Sequence, residues 1–238
     1  MLSAALFGVL LFHPGSPAAA VIAEPFRRPL MGVAMGLTAV SLIYSTWGRR
    51  SGAHFNPAVT LTFYRLGKVA GGDAVFYVLA QCLGGTAGLA TAAWIAQEAV
   101  ADPSVNYVVT VPGSPGVAAA FLAELAIAFG LMTTVLAVSN ASRLAPFTGL
   151  CAGALVALYI TFEAPVSGMS MNPARTLASA VPSSTWTAFW VYVTAPPLGM
   201  LLAAELHRRR GRRVRCAKLH HDQAQACIFR CGYRQQGG

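Results

Sequence analysis

The sequence predicts an all-α membrane protein of six transmembrane helices plus two re-entrant half-helices, laid out as an inverted repeat. Three observations carry that reading. Hydrophobic residues make up 55% of the 238 and charged residues only 11%, where a soluble domain carries about 25% charge. Apolar runs fall near 1–23, 30–47, 74–97, 117–139, 146–165 and 187–205, each close to the roughly 20 residues a helix needs to cross a hydrocarbon core. Finally, "SGAHFNPAVT" at 51–60 and "SGMSMNPART" at 167–176 share Ser-Gly-x-x-x-Asn-Pro-Ala-x-Thr, and a repeated motif asks for a repeated architecture.

The first run is the weakest element, since Pro14 and Pro17 interrupt it. "SPAAAVIA" supplies small residues of the kind that mark signal-peptide cleavage, but no basic stretch precedes the run, so a retained crossing is expected. The second run leads into the first motif and the fifth into the second. Three crossings separate the motifs, so they enter the membrane from opposite faces, an arrangement that places a site near the midplane between broken helices. After the motifs, "VTLTFYRLG" and "RTLASAV" continue for about two turns. Gly67 and Pro182 then mark the ends expected for two half-helices.

Charge sets the orientation. The net charge is +9, and nine of the 17 Lys and Arg residues lie after position 207. A basic tail can signal nucleic acid, but this one follows an apolar run, so anionic lipid is the expected neighbour and nucleic acid is not. Basic residues divide 14 to 3 between the two sets of loops, with Arg49, Arg50, Arg65, Lys68, Arg143 and the tail together. The positive-inside rule makes that side cytoplasmic, with both termini there. The chain is expected to be a multi-pass protein of the plasma (inner) membrane. A membrane domain over 1–206, built from repeats of about 1–97 and 117–206, and a basic cytoplasmic tail over 207–238 are expected.

The motif residues suit their places. Pro57 and Pro173 fit the first helical position, where a missing N–H costs nothing. Asn56 and Asn172 then fall at N-caps, where the side-chain carbonyl accepts a backbone N–H and the NH₂ group remains free to donate. Aspartate would cap as well but bring charge and no donor. Ala58 and Ala174 are small enough for two helix starts to approach.

With both Asn-Pro-Ala boxes, the "GAHFNPAVT" context, "MNPAR" and the acid in "FLAELAIAFG", the chain resembles the aquaporin and aquaglyceroporin (major intrinsic protein) family over about 1–206. That resemblance implies a homotetramer in the lipid bilayer, with a pore for water and small neutral solutes in each protomer. No cofactor is required for transport. It implies that Asn56 and Asn172 face passing molecules, that Arg175 guards one mouth, and that Glu124 accepts hydrogen bonds from a re-entrant loop. His54 either lines the pore or packs beside it. A gapless alignment to a water-selective member puts Gly36 where Phe is typical and Ile160 where His is typical, with Met169 on the loop before Asn172. These changes point to a filter wider and more apolar than a strict water pore, partly refilled by the adaptable Met169. The family's acidic start is absent from the first helix, whose opening turn looks clipped.

Cys82 and Cys151 lie in apolar runs and read as small core residues. In the tail, Cys216, His220, Cys227 and Cys231 have the donor set of a Cys₃His zinc site, with His221 able to replace His220. They meet only if "DQAQA" at 222–226 turns the chain. Free thiols in a disordered tail are the other reading. No Gly-rich phosphate loop, paired carboxylates or Ser/His/Asp set suggests an enzyme. The alternative to a channel is an ion-coupled secondary transporter, which needs intramembrane acids, here Glu124, Glu163 or Glu205.

Overall fold

A computed structural model describes residues 1–222 and 226–233. In chain order the α-helices are α1 (Leu2–Phe12), α2 (Pro17–Val21), α3 (Glu24–Tyr44), α4 (Thr46–Ser51), α5 (Pro57–Arg65) and α6 (Gly71–Ala96). They continue as α7 (Glu98–Ala101), α8 (Val117–Ser139), α9 (Thr148–Phe162), α10 (Ala164–Ser167), α11 (Pro173–Ser183) and α12 (Phe189–Arg209). No strand occurs among the described residues. Five helical segments are long and apolar enough to span a bilayer, namely α3, α6, α8, α9 with its preceding 3₁₀ turn, and α12.

The first run departs from expectation. Helix α1 has 11 residues and rises about 16 Å, roughly half of a hydrocarbon core. Proline explains the stop. Pro14 has no N–H for the Leu10 carbonyl, and the Ser16 hydroxyl donates to that carbonyl instead, at 2.6 Å. The chain restarts as α2 with Pro17 in its first turn. A smaller correction concerns α11, which runs through Pro182 to Ser183. A proline in the last turn removes one ladder bond and does not break the helix.

The packing has the symmetry the motifs announce. Helix α1 lies along α6, as α8 lies along α12, and α3 crosses α9. Helix α5 touches α6 and α12, while α11 touches α12 and α6. Exchanging the two halves maps the α3–α9 contact onto itself and each of the others onto its counterpart. The backbone repeats as well. Gly52 (φ 81°, ψ 2°) corresponds to Gly168 (φ 81°, ψ 0°), and Asn56 (φ −145°, ψ 121°) to Asn172 (φ −149°, ψ 106°).

Small residues set the α3–α9 crossing. A Cβ on Gly36 would sit 2.6 Å from the Gly153 carbonyl oxygen, and one on Gly153 would sit 2.7 Å from that of Gly36. Such close backbone approach is how helices associate in lipid. Gly36 therefore belongs to a helix–helix contact, and its expected place in the filter is corrected. Outward faces are apolar. Leu30, Val33 and Leu37 on α3, and Phe76, Leu79 and Leu83 on α6, are exposed stripes at helical spacing.

The re-entrant loops are tied to the bundle. Glu124 on α8 is fully buried. Its Oε1 accepts from the Ser170 N–H at 2.6 Å and the Ser167 hydroxyl at 2.8 Å, and its Oε2 accepts from the Met171 N–H at 2.7 Å. Two tyrosines do matching work. Tyr77 on α6 donates to the Ser51 carbonyl and Tyr192 on α12 to the Ser167 carbonyl, both at 2.6 Å.

Two stability predictions arise. Gly36→Leu should lower stability by about 1–3 kcal/mol through overpacking, read as a lower thermal midpoint in detergent. An unchanged midpoint would contradict the close crossing. Glu124→Gln should cost about 1–3 kcal/mol, because an amide NH₂ must then face a donor. Parent-like thermal stability in that variant would show that the carboxylate does not hold the loop.

Candidate functional site: two half-helices meeting at their N-termini

Helices α5 and α11 start at the same place and run apart. Each Asn caps its own helix. Asn56 Oδ1 accepts from the Ala58 N–H at 2.9 Å, and Asn172 Oδ1 accepts from the Ala174 N–H at 3.1 Å and the Arg175 N–H at 3.3 Å. Each then reaches across to the other loop. Asn56 Nδ2 donates to the Met171 carbonyl at 2.6 Å, and Asn172 Nδ2 to the Phe55 carbonyl at 2.8 Å. The amide groups are thus half-committed, with one N–H of each accounted for by the partner loop. The two helix N-termini bring partial positive charge to one point.

Arg175 follows one turn along α11. Its Nη1 donates to the Val108 carbonyl at 2.6 Å and lies 3.4 Å from the Ser179 hydroxyl. The Val108 carbonyl is presented by an unusual backbone, since Asn106, Tyr107 and Val108 have φ of 40°, 51° and 49°. A β-branched residue in the left-handed region is a strained choice, and strain of this kind concentrates where a loop must aim a group. The Thr176 hydroxyl joins those of Thr110 at 2.9 Å and Ser170 at 2.5 Å. That chain fastens the same outer segment to the second motif.

The remaining expected positions divide. Met169 is buried, with φ 48°. It shares one apolar cluster with Met171, against which Ile160 packs. His54 is buried on the tail side of the first motif. Its Nε2 lies 2.8 Å from the Ala217 carbonyl and its Nδ1 3.3 Å from the Thr60 hydroxyl. Phe63 and Phe229 both stack on its ring at 5.3 Å. Gln81 completes this loop by donating to the His54 carbonyl at 2.8 Å and to Thr60 Oγ1 at 3.0 Å.

The tail folds back over this region. Leu219 N–H donates to the Gly52 carbonyl at 3.2 Å, and Arg230 N–H to the Lys68 carbonyl at 3.0 Å. Cys216, His221, Cys227 and Cys231 each bring a donor atom within 4.8 Å of the others. His220, the first choice from sequence, lies elsewhere, its ring edge-on to Tyr44 at 4.9 Å. His221, and not His220, joins the thiols. Burial raises the Cys216 thiol above its ordinary value and lowers both histidines. Residues 223–225, within the expected "DQAQA" turn, lie outside the described residues.

Sequence reading missed Tyr77, Gln81, Val108 and the tail carbonyl on His54. Only the tyrosines left a signal, being 115 positions apart, close to the offset of the motifs.

The profile described as "MIP: Major intrinsic protein" matches residues 9–207. The chain is 36% identical over 208 residues to Aquaporin NIP6-1 of Arabidopsis thaliana, covering 85% of this chain and 66% of that protein. It is 39% identical over 191 residues to Aquaporin NIP2-2 of Zea mays, covering 79% and 63%. The chain thus spans just under two thirds of the length of these curated relatives. Its fold is similar to that in the X-ray structure of the aquaglyceroporin from Plasmodium falciparum, with a TM-score of 0.67 and 19% identity over 87% of this chain and 89% of that one. The matched residues take in both Asn-Pro-Ala boxes and both half-helices, and the chain belongs to the major intrinsic protein family.

Proposed function

We propose that this chain forms a passive transmembrane channel for water and small neutral solutes, excluding ions and protons at the paired Asn-Pro-Ala boxes and at Arg175. The observation that carries the reading is the reciprocal pair of asparagines. One N–H of each amide is spent on the opposite loop, which fixes the plane of the group. The second N–H of each is then oriented toward the oxygen of a passing molecule. A water that accepts from both is poorly placed to relay a proton. The converging helix dipoles add a barrier to cations.

Arg175 supports a second selective point. Its Nη1 anchors on Val108, and the rest of its donor fork serves neutral oxygens while its charge repels cations. Met169 and Ile160 make the wall opposite it apolar in this reading, which admits small neutral solutes beside water. The boxes are read as Asn56, Pro57 and Ala58 with Asn172, Pro173 and Ala174. The basic tail faces the cytoplasm, and four protomers assemble in the plasma membrane through their apolar outer faces.

The competing reading, an ion-coupled transporter, needs an acid free to bind the coupling ion. Glu124 is occupied by three donors. Glu205 is paired with Arg65, Arg208 and Arg209. Glu163 remains, with both carboxylate oxygens buried. It sits at the C-terminal end of α9, beside Ser167 at the start of the second motif. Solute flux into proteoliposomes that is indifferent to Na⁺ and pH gradients is expected of the channel; a gradient-driven flux would favour the transporter.

Substitution tests the two selective points separately. Asn172→Asp replaces a donor with a charge and should raise cation conductance in planar bilayers, with water flux retained. Parent-like ion exclusion in a folded variant would argue against the amide pair. Arg175→Ala should speed glycerol-sized solutes by about tenfold, equivalent to ~1.4 kcal/mol of barrier, in stopped-flow swelling. Equal rates in variant and parent would remove Arg175 from the constriction.

A further inference from the structure

The tail cluster has the geometry and charge setting of a metal centre. Cys216 Sγ and Cys227 Sγ are 3.5 Å apart, and Cys231 Sγ lies 3.9 Å from His221 Nδ1 and 4.0 Å from its Nε2. Sulfurs bound to one tetrahedral zinc at about 2.3 Å stand roughly 3.8 Å from each other, so these separations are those of ligands around a common centre. A disulfide needs sulfurs about 2.05 Å apart, and three thiols cannot all pair.

The surroundings fit the same ion. The Lys218 N–H points at Cys216 Sγ at 3.5 Å, as outer groups do when they steady a thiolate ligand. Tyr233 stacks on the His221 ring at 4.3 Å and so orients it. Lys218 is 1% exposed, and its ammonium has no hydrogen-bond partner among the described residues. A buried lone ammonium is costly. Three thiolates and a neutral imidazole around a divalent ion carry one net negative charge, which balances that ammonium. Three soft sulfur donors and one imidazole select zinc over the hard cations.

We propose that Cys216, His221, Cys227 and Cys231 bind one zinc ion, which staples the terminal segment onto the first re-entrant loop. The two arms of the staple each touch the channel body. On one arm the Ala217 carbonyl meets His54 and the Leu219 N–H meets the Gly52 carbonyl. On the other, Phe229 stacks on His54 and the Arg230 N–H meets the Lys68 carbonyl. Metal binding in such segments is folding free energy, so the ion would hold both arms against the loop. The proposal stands on the tail alone and does not depend on what the channel conducts.

The full-length protein, purified without chelators, should contain about one zinc per chain by elemental mass spectrometry, and His220→Ala should keep it. Cys227→Ser with Cys231→Ser, or His221→Ala, should lower the content to below about a tenth. Co²⁺ added to chelator-stripped parent should give the thiolate charge-transfer and tetrahedral d–d bands, a readout that survives even if the cysteine variants misfold. Hydrogen exchange over 50–54 and 214–221 should accelerate on chelation and recover with Zn²⁺. A metal-free parent that gives no cobalt bands, a cysteine disulfide found by mass, zinc lost with His220→Ala, or exchange indifferent to chelation would each overturn the proposal. None of these measurements reads solute flux, so they stand or fall apart from the channel assignment.

Discussion

Backbone that leaves the helix in the middle of a membrane protein must find its hydrogen bonds inside the protein, because lipid offers none. Everything distinctive here follows from meeting that demand twice. Each half-helix begins on an asparagine that caps its own helix and donates to the other loop's carbonyl. Neither loop is complete alone. The pairing fixes where the two helices meet, which way the amides face, and why the residues beside them are small.

The demand is met by different chemistry in the two halves. The second loop has a buried carboxylate that collects three donors in one place. The first has no acid in that role among its observed contacts. Gln81 takes the His54 carbonyl, and His54 reaches outward to the carbonyl of Ala217 in the tail. The tail thereby becomes part of the body's polar accounting rather than an appendage. The tyrosine bonds to Ser51 and Ser167 are the part that stayed the same.

Close backbone approach is the other recurring device. Gly36 and Gly153 each meet the other's carbonyl across α3 and α9 at a distance no Cβ would tolerate. On the far side, three consecutive residues in the left-handed region turn the Val108 carbonyl toward Arg175. The first lowers the cost of packing helices without a hydrophobic drive between them. The second spends local strain to fix a guanidinium that would otherwise swing.

Periodicity and repetition were enough to read the helices, the two half-helices and the boxes, because hydrophobic run length and helix capping are local properties. The donor types of the tail were legible for the same reason. The sequence by itself determined that Asn56 and Asn172 cap helices from opposite faces. Tertiary structure decided the rest. Pro14 with the Ser16 hydroxyl ended the first helix at Phe12, a competition between backbone acceptors that hydropathy does not weigh. Gly36 went to a helix crossing, because the rotation of α3 is set by the fit to Gly153 and not by distance along the chain from a motif. His221 displaced His220, because packing sets the His220 ring against Tyr44 and the His221 ring against Tyr233. Spacing gives the residues that can meet; which side chain faces which is fixed only when the backbones are packed.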